Sequence, residues 1–165
     1  MEKNIKVAVL FVCMGNICRS PTAEAVFREY VRRAGLAAKI EIDSAGTHDY
    51  HVGEAPDLRT QRAAQQRGFK MTHLRGRQVS ALDFADFDYV LAMDEANLAI
   101  LNQLAPANST THAELFLHYA HHHVEREVPD PYYGGADGFE RVLDMVEDAA
   151  AGLLQAIREK HFVAT

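Results

Sequence analysis

The sequence has few cysteines, no excess of basic residues and no long hydrophobic segment, and each absence excludes a class of protein. Only Cys13 and Cys18 occur in 165 residues, whereas a disulfide-rich secreted domain or a four-ligand zinc site uses more. The formal net charge of −6 argues against a nucleic-acid-binding protein, because such binding depends on a basic surface. The most apolar early run, residues 7–13, is too short to cross a membrane.

The remaining composition is that of a globular protein. Hydrophobic residues make up 48% of the chain, and its 165 residues are enough to bury one core. No repeat, low-complexity linker or shift in composition marks a boundary, so we expect a single domain over residues 1–165. The N-terminus has no apolar run followed by a small-residue cleavage site, and we therefore expect a cytoplasmic protein.

Strand-like and helix-like segments alternate along the chain. Residues 7–12 form a continuous apolar, β-rich run that is typical of a parallel strand covered on both faces. After a short polar loop, Pro21 suits a first helical turn, and apolar residues recur at helical spacing until Gly35. Asp94 is predicted to cap a later helix. Further strands are predicted at residues 40–45, 89–93 and 114–117, and further helices at residues 56–68, 80–86, 94–104 and 142–157.

This alternation predicts the fold class. Strands joined through helices require right-handed crossovers, which place helices on both faces of a parallel sheet. We therefore expect an α/β protein, a single three-layer domain with a four-stranded, doubly wound parallel sheet. Ligands bind such sheets at the carboxyl ends of the strands. Because the loop at Cys13 follows the first strand, it lies at the predicted binding edge.

The loop after the first strand has the composition of an anion-binding loop. Its sequence is Cys13-Met14-Gly15-Asn16-Ile17-Cys18-Arg19-Ser20-Pro21. A loop between a buried strand and a helix N-terminus directs unpaired backbone N–H groups at one point, and the helix dipole adds positive potential. Gly15 and Asn16 tolerate the left-handed backbone that lets successive amides converge. The loop can therefore supply the local positive potential that an acidic protein needs to bind phosphate.

The same loop carries a nucleophile and a cation. Its amides and the helix dipole favour the charged form of the Cys13 thiol, and the planar Arg19 guanidinium can hold two oxygens of a phosphate monoester. The loop lacks the Gly-Lys-Ser/Thr of nucleotide-binding loops and the glycine spacing of dinucleotide-binding loops. The alternative interpretation is that Cys13 only packs at a strand end and Arg19 only pairs at the surface. The combination of residue types in one loop makes this alternative weak.

The sequence resembles the low-molecular-weight protein tyrosine phosphatase family. The Cys-x5-Arg-Ser/Thr loop of that family matches residues 13–20, in the fuller form Cys-x-Gly-Asn-x-Cys-Arg-Ser-Pro. The resemblance continues at residues 43–47, 71–73, 87–89, 93–95 and 130–134, and so covers essentially the whole chain. It implies a flavodoxin-like, phosphotyrosine phosphatase I-like fold. It also implies hydrolysis of phosphotyrosine through a cysteinyl-phosphate intermediate.

The resemblance implies catalytic roles for three residues. Cys13 would be the nucleophile, and Arg19 would grip the phosphoryl group within the loop of residues 13–20. Expelling a tyrosyl oxygen needs a proton, and the general acid of the family matches Asp130, in a loop stiffened by two prolines. Asp130 would later activate the water that hydrolyses the intermediate. Taken alone, an Asp-Pro pair is also common in surface turns. No metal and no cofactor are expected.

Further residues are expected to hold the loop in shape. By the same resemblance, Ser20 would donate a hydrogen bond to the Cys13 thiolate. Asn16, with Ser44 and His73, would form the network that stabilises the unusual backbone of the loop. For His73, an ordinary polar contact is the alternative, and only the resemblance favours a role in the network.

The substrate cleft is expected to be aromatic. Tyr132 and Tyr133 would form one wall and Tyr50 the other, stacking on a planar substrate ring. Each of these tyrosines can instead be an ordinary core or surface residue. Ile17 is a branched residue inside the loop that narrows the entrance. Related bacterial phosphatases that act on phosphoarginine carry a smaller residue there, so Ile17 favours phosphotyrosine.

The second cysteine has two interpretations, which are compatible. Cys18 can capture an oxidised Cys13 as a disulfide and so protect it from irreversible oxidation. It can also be a small buried hydrophobic residue.

Three other functions compete with a tyrosine phosphatase. A protein arginine phosphatase and a thiol-coupled arsenate reductase share the expected fold and loop, but such a reductase uses additional downstream cysteines, and none follows Cys18. A phosphotyrosine-binding module without turnover is the non-enzymatic alternative. The expected partners are phosphotyrosine proteins, with inorganic phosphate and other oxyanions as competing ligands. We expect no nucleic acid or membrane partner and a monomer or weak dimer.

A histidine-rich segment suggests a metal site at first sight. It contains His118, His121, His122 and His123. Adjacent histidines point in different directions, and no carboxylate or cysteine completes a recognisable set of ligands. We therefore interpret this segment as solvated chain before the loop of Asp130.

Overall fold

The core of the protein is a four-stranded, fully parallel sheet. The computed structural model describes residues 6–162, except for the side chains of Tyr133 and Ala136. The strands are β1 (Val7–Cys13), β2 (Ile40–Gly46), β3 (Tyr89–Ala92) and β4 (Ala113–Leu115), in the order β2-β1-β3-β4. Val9 of β1 is in register with Ile42 of β2 and with Tyr89 of β3. This confirms the predicted parallel, doubly wound sheet.

Helices cover both faces of the sheet. They are α1 (Arg19–Arg33), α2 (Leu58–Gln66), α3 (Asp83–Asp86), α4 (Glu95–Leu104) and α5 (Gly138–His161). Alternate side chains of β1 point to opposite faces. Val9 and Phe11 belong to the apolar cluster under α1 and α5, whereas Leu10 and Val12 belong to the cluster under α3 and α4. This two-sided burial explains the unbroken apolar run of β1.

The boundaries of some elements differ from the prediction. Helix α1 begins at Arg19, which places Pro21 in its first turn as predicted. Strand β4 ends at Leu115, because residues Phe116–Tyr119 turn into a 3-10 helix. The predicted cap is confirmed, since the Asp94 carboxylate accepts a hydrogen bond from Asn97 N at the start of α4.

The topology places a crevice at the end of β1. Strand β1 lies between β2 and β3, and the connections to these two neighbours leave from opposite faces of the sheet. Such a switch point opens a crevice beyond the carboxyl end of the strand. Cys13 is the last residue of β1 and therefore lies at the base of this crevice. Among residues 6–162, no helix combines the length and apolar character needed to cross a bilayer.

Candidate active site

The loop between β1 and α1 is shaped by a left-handed asparagine. Within the described residues, Asn16 is the one non-glycine residue with a positive φ, 57°. This conformation brings the Asn16 backbone N–H to 3.3 Å from Cys13 Sγ. Gly15 does not have a positive φ; its small size lets the His51 ring approach the loop, since a Cβ there would lie 3.1 Å from His51 Cδ2. The loop thus turns tightly around the sulfur.

The Cys13 sulfur lies in a polar environment at the base of a cavity. Its side chain is buried, and Sγ is 3.0 Å from Ser20 Oγ at the start of α1. The cavity has a volume of about 230 Å³ and is also lined by Arg19 and Asp130. The backbone N–H of Asn16 and the N-terminus of α1 both favour negative charge at this point. The position suits an ionised sulfur with a bound oxyanion above it.

Arg19 is fixed by contacts that its sequence position does not predict. Its Nη1 donates to Asp94 Oδ2 at 2.6 Å and to the Val128 carbonyl at 3.1 Å. Burial by itself lowers the pKa of Arg19, but the nearby Cys13, Asp94 and Asp130 outweigh this effect and raise the pKa above its usual value. The guanidinium stays charged, and its Nε and Nη2 donors remain for an oxyanion.

A buried hydrogen-bond relay runs from α1 to the sulfur. Glu24 Oε1 accepts from Ser44 Oγ at 2.7 Å. Asn16 Nδ2 donates to Ser44 Oγ at 3.0 Å and to Ser20 Oγ at 2.8 Å. An ionised carboxylate can only accept, and an amide nitrogen can only donate. Because the Asn16 amide donates to Ser20 Oγ, the Ser20 hydroxyl proton is free to donate to Cys13 Sγ at 3.0 Å, and the Ala45 carbonyl at 3.4 Å is its more distant alternative acceptor.

This relay predicts an effect of Glu24 on a sulfur that it does not touch. In Glu24→Gln, the Ser44 hydroxyl loses its charged acceptor, so that Ser44 holds the Asn16 side chain less firmly beside Ser20 and Cys13. We expect kcat/KM for an aryl phosphate to fall roughly tenfold to a hundredfold, the range for losing a hydrogen bond to a charged group. Alkylation of Cys13 by iodoacetate should slow as well, because the groups around the sulfur are less well placed.

The matched control for this prediction is Glu29→Gln. Glu29 lies on the same helix and pairs with Arg32 at the surface. Its replacement should leave both rates unchanged. Equal alkylation rates in Glu24→Gln and in the unmodified protein would remove Glu24 from the account of thiolate stabilisation.

The structure does not bring His73 into this relay. The His73 side chain is exposed. Within the described residues, no hydrogen bond joins it to Asn16 or Ser44. The Asn16 side-chain oxygen instead accepts from Arg77 N at 3.0 Å. The expected role of His73 in this network is therefore corrected. The additional partner of Asn16 is Arg77, and that of Ser44 is Glu24.

Arg77 connects the loop to two other elements. Its guanidinium binds Asp43 Oδ2 at 2.9 Å and both oxygens of Asp83 at 3.0 and 3.1 Å. Burial lowers the pKa of Arg77, but hydrogen bonds and charges from Asp83 and Asp43 raise it overall. Asp43 belongs to β2 and Asp83 to α3. Ion pairs with both elements therefore fix the position of Arg77, whose backbone N–H donates to Asn16.

Asp130 lines the same cavity as Cys13 and Arg19. It precedes the 3-10 helix Pro131–Tyr133, and its Oδ1 accepts from Tyr132 N at 3.0 Å. Val128, two residues earlier, donates its N–H to the Met93 carbonyl and accepts from Arg19. The loop of Asp130 is therefore tied to the same guanidinium that faces the cavity.

Two of the three predicted aromatic wall residues line the cavity. Tyr50 and Tyr132 both contribute, with 65% and 45% of their surfaces exposed. The Tyr50 ring stacks on His48, with ring centres 5.1 Å apart. Ile17 also lines the cavity. The third predicted wall residue is Tyr133, and its side chain is not among those that the structure describes.

Tyr132 is held in place by residues that sequence reasoning missed. Its hydroxyl donates to Asp57 Oδ2 at 2.7 Å, and the Arg59 guanidinium lies 4.7 Å from the ring centre. Burial and then the Asp57 contact raise the pKa of Tyr132, so that it stays a neutral phenol. Asp57 also caps α2, and this capping position was the only sign of its importance in the sequence.

His51 is a further cavity residue that the sequence analysis did not identify. It contributes to the lining and packs against Gly15. Its Nδ1 lies 3.2 Å from the Glu54 carboxylate. The only signal in the sequence was its position directly after Tyr50.

Cys18 lies in the same cavity but in a less polar setting. Both cysteines are free and buried. Burial is the main cause that raises the pKa of Cys18 to about 11, against smaller opposing effects of Thr60 and Tyr132. Cys18 is therefore a neutral thiol at physiological pH and does not compete with Cys13 for attack on phosphorus. The site contains two thiols with different environments.

The histidine-rich segment is attached to α5 by one aspartate. The backbone N–H groups of His121 and His122 donate to Asp148 Oδ1 and Oδ2, both at 2.9 Å. His123 Nδ1 lies 2.7 Å from Asp148 Oδ2. Over residues 6–162, no three His, Cys, Asp or Glu side chains are grouped so that they could hold a metal ion. His118 is exposed.

Comparison with known proteins connects this geometry to one family. A family model described as low molecular weight phosphotyrosine protein phosphatase matches residues 8–163. A relative of that name from Schizosaccharomyces pombe is 48% identical over 158 residues, which is 95% of this chain and 99% of the relative.

Solved structures give the same result for the fold. A protein tyrosine phosphatase from Entamoeba histolytica, crystallised with Hepes in the active site, superimposes with a TM-score of 0.89 and is 40% identical, covering 93% of this chain and 98% of its own. A Drosophila arginine phosphatase superimposes with a TM-score of 0.84 and is 35% identical, covering 92% and 98%. The whole fold, and not only the loop, is shared with these enzymes.

Proposed function

This chain belongs to the low molecular weight phosphotyrosine protein phosphatase family, and we propose that it hydrolyses phosphotyrosine in proteins through a phosphocysteine on Cys13. One observation carries this proposal: Cys13, Arg19 and Asp130 line one cavity of about 230 Å³ at the N-terminus of α1. A nucleophile, a fixed cation and a proton donor are the groups that phosphate monoester hydrolysis requires.

The first step forms the covalent intermediate. The Cys13 thiolate attacks phosphorus on the side opposite the tyrosyl oxygen, so that an S–P bond forms while the P–O bond to tyrosine breaks. Asp130 donates its proton to the departing oxygen, and tyrosine leaves as a neutral phenol. Asp130 lines the same cavity as the buried sulfur, which supports this assignment.

The second step returns the enzyme to its starting state. Asp130, now a carboxylate, accepts a proton from a water molecule, whose oxygen attacks phosphorus. The S–P bond breaks, phosphate leaves and Cys13 becomes a thiolate again. The Ser20 contact at 3.0 Å supports a role for its hydroxyl in stabilising this leaving group.

Arg19 and the loop amides bind the phosphoryl group in both steps. The Asp94 and Val128 contacts keep the guanidinium in one orientation, so that little reorganisation is needed as charge develops on the phosphoryl oxygens. Inorganic phosphate and other oxyanions are proposed to compete for the same donors. The mechanism uses groups of the protein alone.

Oxidation is proposed to be reversible at this site. A peroxide oxidises Cys13 to the sulfenic acid, and Cys18 Sγ then displaces water to form a disulfide. The presence of both cysteines in the cavity lining supports this pairing. A cytoplasmic location and a monomeric or weakly dimeric state remain predictions.

Phosphoarginine is the second candidate substrate, because an arginine phosphatase has the same fold. We favour phosphotyrosine, since Tyr50 and Tyr132 flank the cavity and suit a planar ring. Ile17 at the entrance narrows the space for a guanidinium group.

Matched substrates test this choice. In the presence of a chelator, we expect hydrolysis of a phosphotyrosyl peptide to exceed that of the phosphoarginyl peptide of the same sequence. Ile17→Thr should shift the ratio of the two kcat/KM values towards phosphoarginine. A greater rate on phosphoarginine in the unmodified protein would reverse the substrate assignment, and an unchanged ratio in Ile17→Thr would remove Ile17 from the selectivity argument.

A further inference from the structure

A second groove opens directly from the catalytic cavity. It has a volume of about 850 Å³ and shares Met14, Arg19 and Asp130 with that cavity. Its other walls are the first turn of α4, residues 125–129 and Arg141 of α5. The mechanism above uses the smaller cavity for the phosphorylated ring and gives this groove no role. A polypeptide that carries the phosphotyrosine must continue past the cavity mouth, and this groove is a path for it.

Among the charged side chains of this groove, one carboxylate has no lysine or arginine partner in the described chain. Each of its two outer arginines is already paired with a groove carboxylate: Arg126 with Glu95 at 2.8 Å and Arg141 with Glu125 at 3.6 Å. Glu127 is different, because no lysine or arginine of the described chain forms a salt bridge with it. Its Oε2 accepts from Glu95 N at 2.8 Å, which leaves a carboxylate held in place without a cation.

We propose that this groove binds the substrate polypeptide next to the phosphotyrosine and favours a lysine or arginine there, with Glu127 as its counter-ion. The inference rests on the proposed function, because it assumes that the phosphotyrosine occupies the catalytic cavity. Glu127 lies three residues from Asp130 in the sequence, and an extended chain spans at most about 3.3–3.6 Å per residue, so the preferred residue lies within roughly four positions of the phosphotyrosine.

Eight phosphotyrosyl peptide series test this inference. In each series, one position within four residues of the phosphotyrosine, on one side or the other, is Lys, Gln or Glu, and kcat/KM is measured for each peptide. We expect the Lys peptide to exceed the Gln peptide by about twofold to fivefold at low salt on one side only, the range for a solvent-exposed ion pair. The preference should decrease as salt is added.

Glu127→Gln keeps an oxygen for Glu95 N but removes the charge, and it should bring the Lys-to-Gln ratio close to one. Glu159→Gln removes an exposed carboxylate near the other end of α5 and should leave the ratio unchanged. In Glu127→Lys, the Glu peptide should become the better substrate.

The results separate this inference from the proposed function. If p-nitrophenyl phosphate and all peptides remain intact, the proposed function is wrong. If the peptides are hydrolysed at equal rates irrespective of the flanking charge, or with an acidic preference, the groove proposal is wrong and the phosphatase assignment stands. A Lys preference that persists in Glu127→Gln but disappears in Glu159→Gln would also overturn the assignment of the groove.

Discussion

Cys13→Ser is expected to lose hydrolysis of every phosphate ester by a factor on the order of 10⁴ to 10⁶, as other enzymes do when a nucleophile is removed. Serine is nearly isosteric, but its hydroxyl does not ionise at physiological pH, and Ser20 then has no thiolate to stabilise. Arg19 keeps its contacts with Asp94 and Val128, and the loop amides do not change. Steady-state kinetics with p-nitrophenyl phosphate measures the loss.

Binding provides the control for this variant. Because the oxyanion donors remain, Cys13→Ser should still bind inorganic phosphate in a calorimetric titration. A variant that neither turns over nor binds would point to a collapsed loop, so the thermal stability is measured alongside. Normal turnover by folded Cys13→Ser would exclude Cys13 as the nucleophile.

Asp130→Ala is expected to lower kcat/KM by roughly 10² to 10⁴, the usual contribution of general acid catalysis. The loss should grow with the basicity of the leaving group, because a nitrophenolate departs without a proton, whereas a tyrosyl oxygen does not. A series of aryl phosphates with leaving groups of different acidity measures this dependence. Arg19 is held by Asp94 and Val128 and not by Asp130, so removal of the Asp130 carboxyl group should leave phosphate binding intact.

Asp49→Ala is the matched control for the acid. Asp49 is an exposed carboxylate beside Tyr50 and is not part of the cavity lining. It should show no dependence on the leaving group. A loss in Asp130→Ala that is equal for good and poor leaving groups would show that another group supplies the proton.

The base of the site could be predicted from the sequence because its parts are close together along the chain. The apolar run of β1, the left-handed Asn16 and the helix that begins at Arg19 follow one another within a few residues. Each is specified by local chemistry: burial on two faces, tolerance of positive φ and unpaired amides at a helix start.

The long-range partners could not be predicted in the same way. Arg19 and Asp94 are 75 positions apart, and Arg77 and Asn16 are 61 apart. Nothing in the local sequence indicates which carboxylate meets which cation, because this depends on the order of the strands. The expectation for His73 failed for this reason, since Arg77 occupies the position beside Asn16.

Some element boundaries were also decided by tertiary contacts. Residues 114–117 are apolar enough for a strand, but the chain leaves the sheet at Leu115. The following turn packs against α5, where a Cβ at Gly152 would lie 1.8 Å from the Tyr119 carbonyl. Such close packing between distant segments leaves no trace in local periodicity.

The central claim is that the phosphoryl group passes through the Cys13 sulfur. A radiolabelled phosphotyrosyl peptide, mixed rapidly with the protein and quenched by denaturation, followed by mapping of the labelled segment, tests it most directly. We expect a transient label on the segment that contains Cys13, and none in Cys13→Ser. Turnover without any protein-bound label, or a label on another residue such as a histidine, would contradict the mechanism.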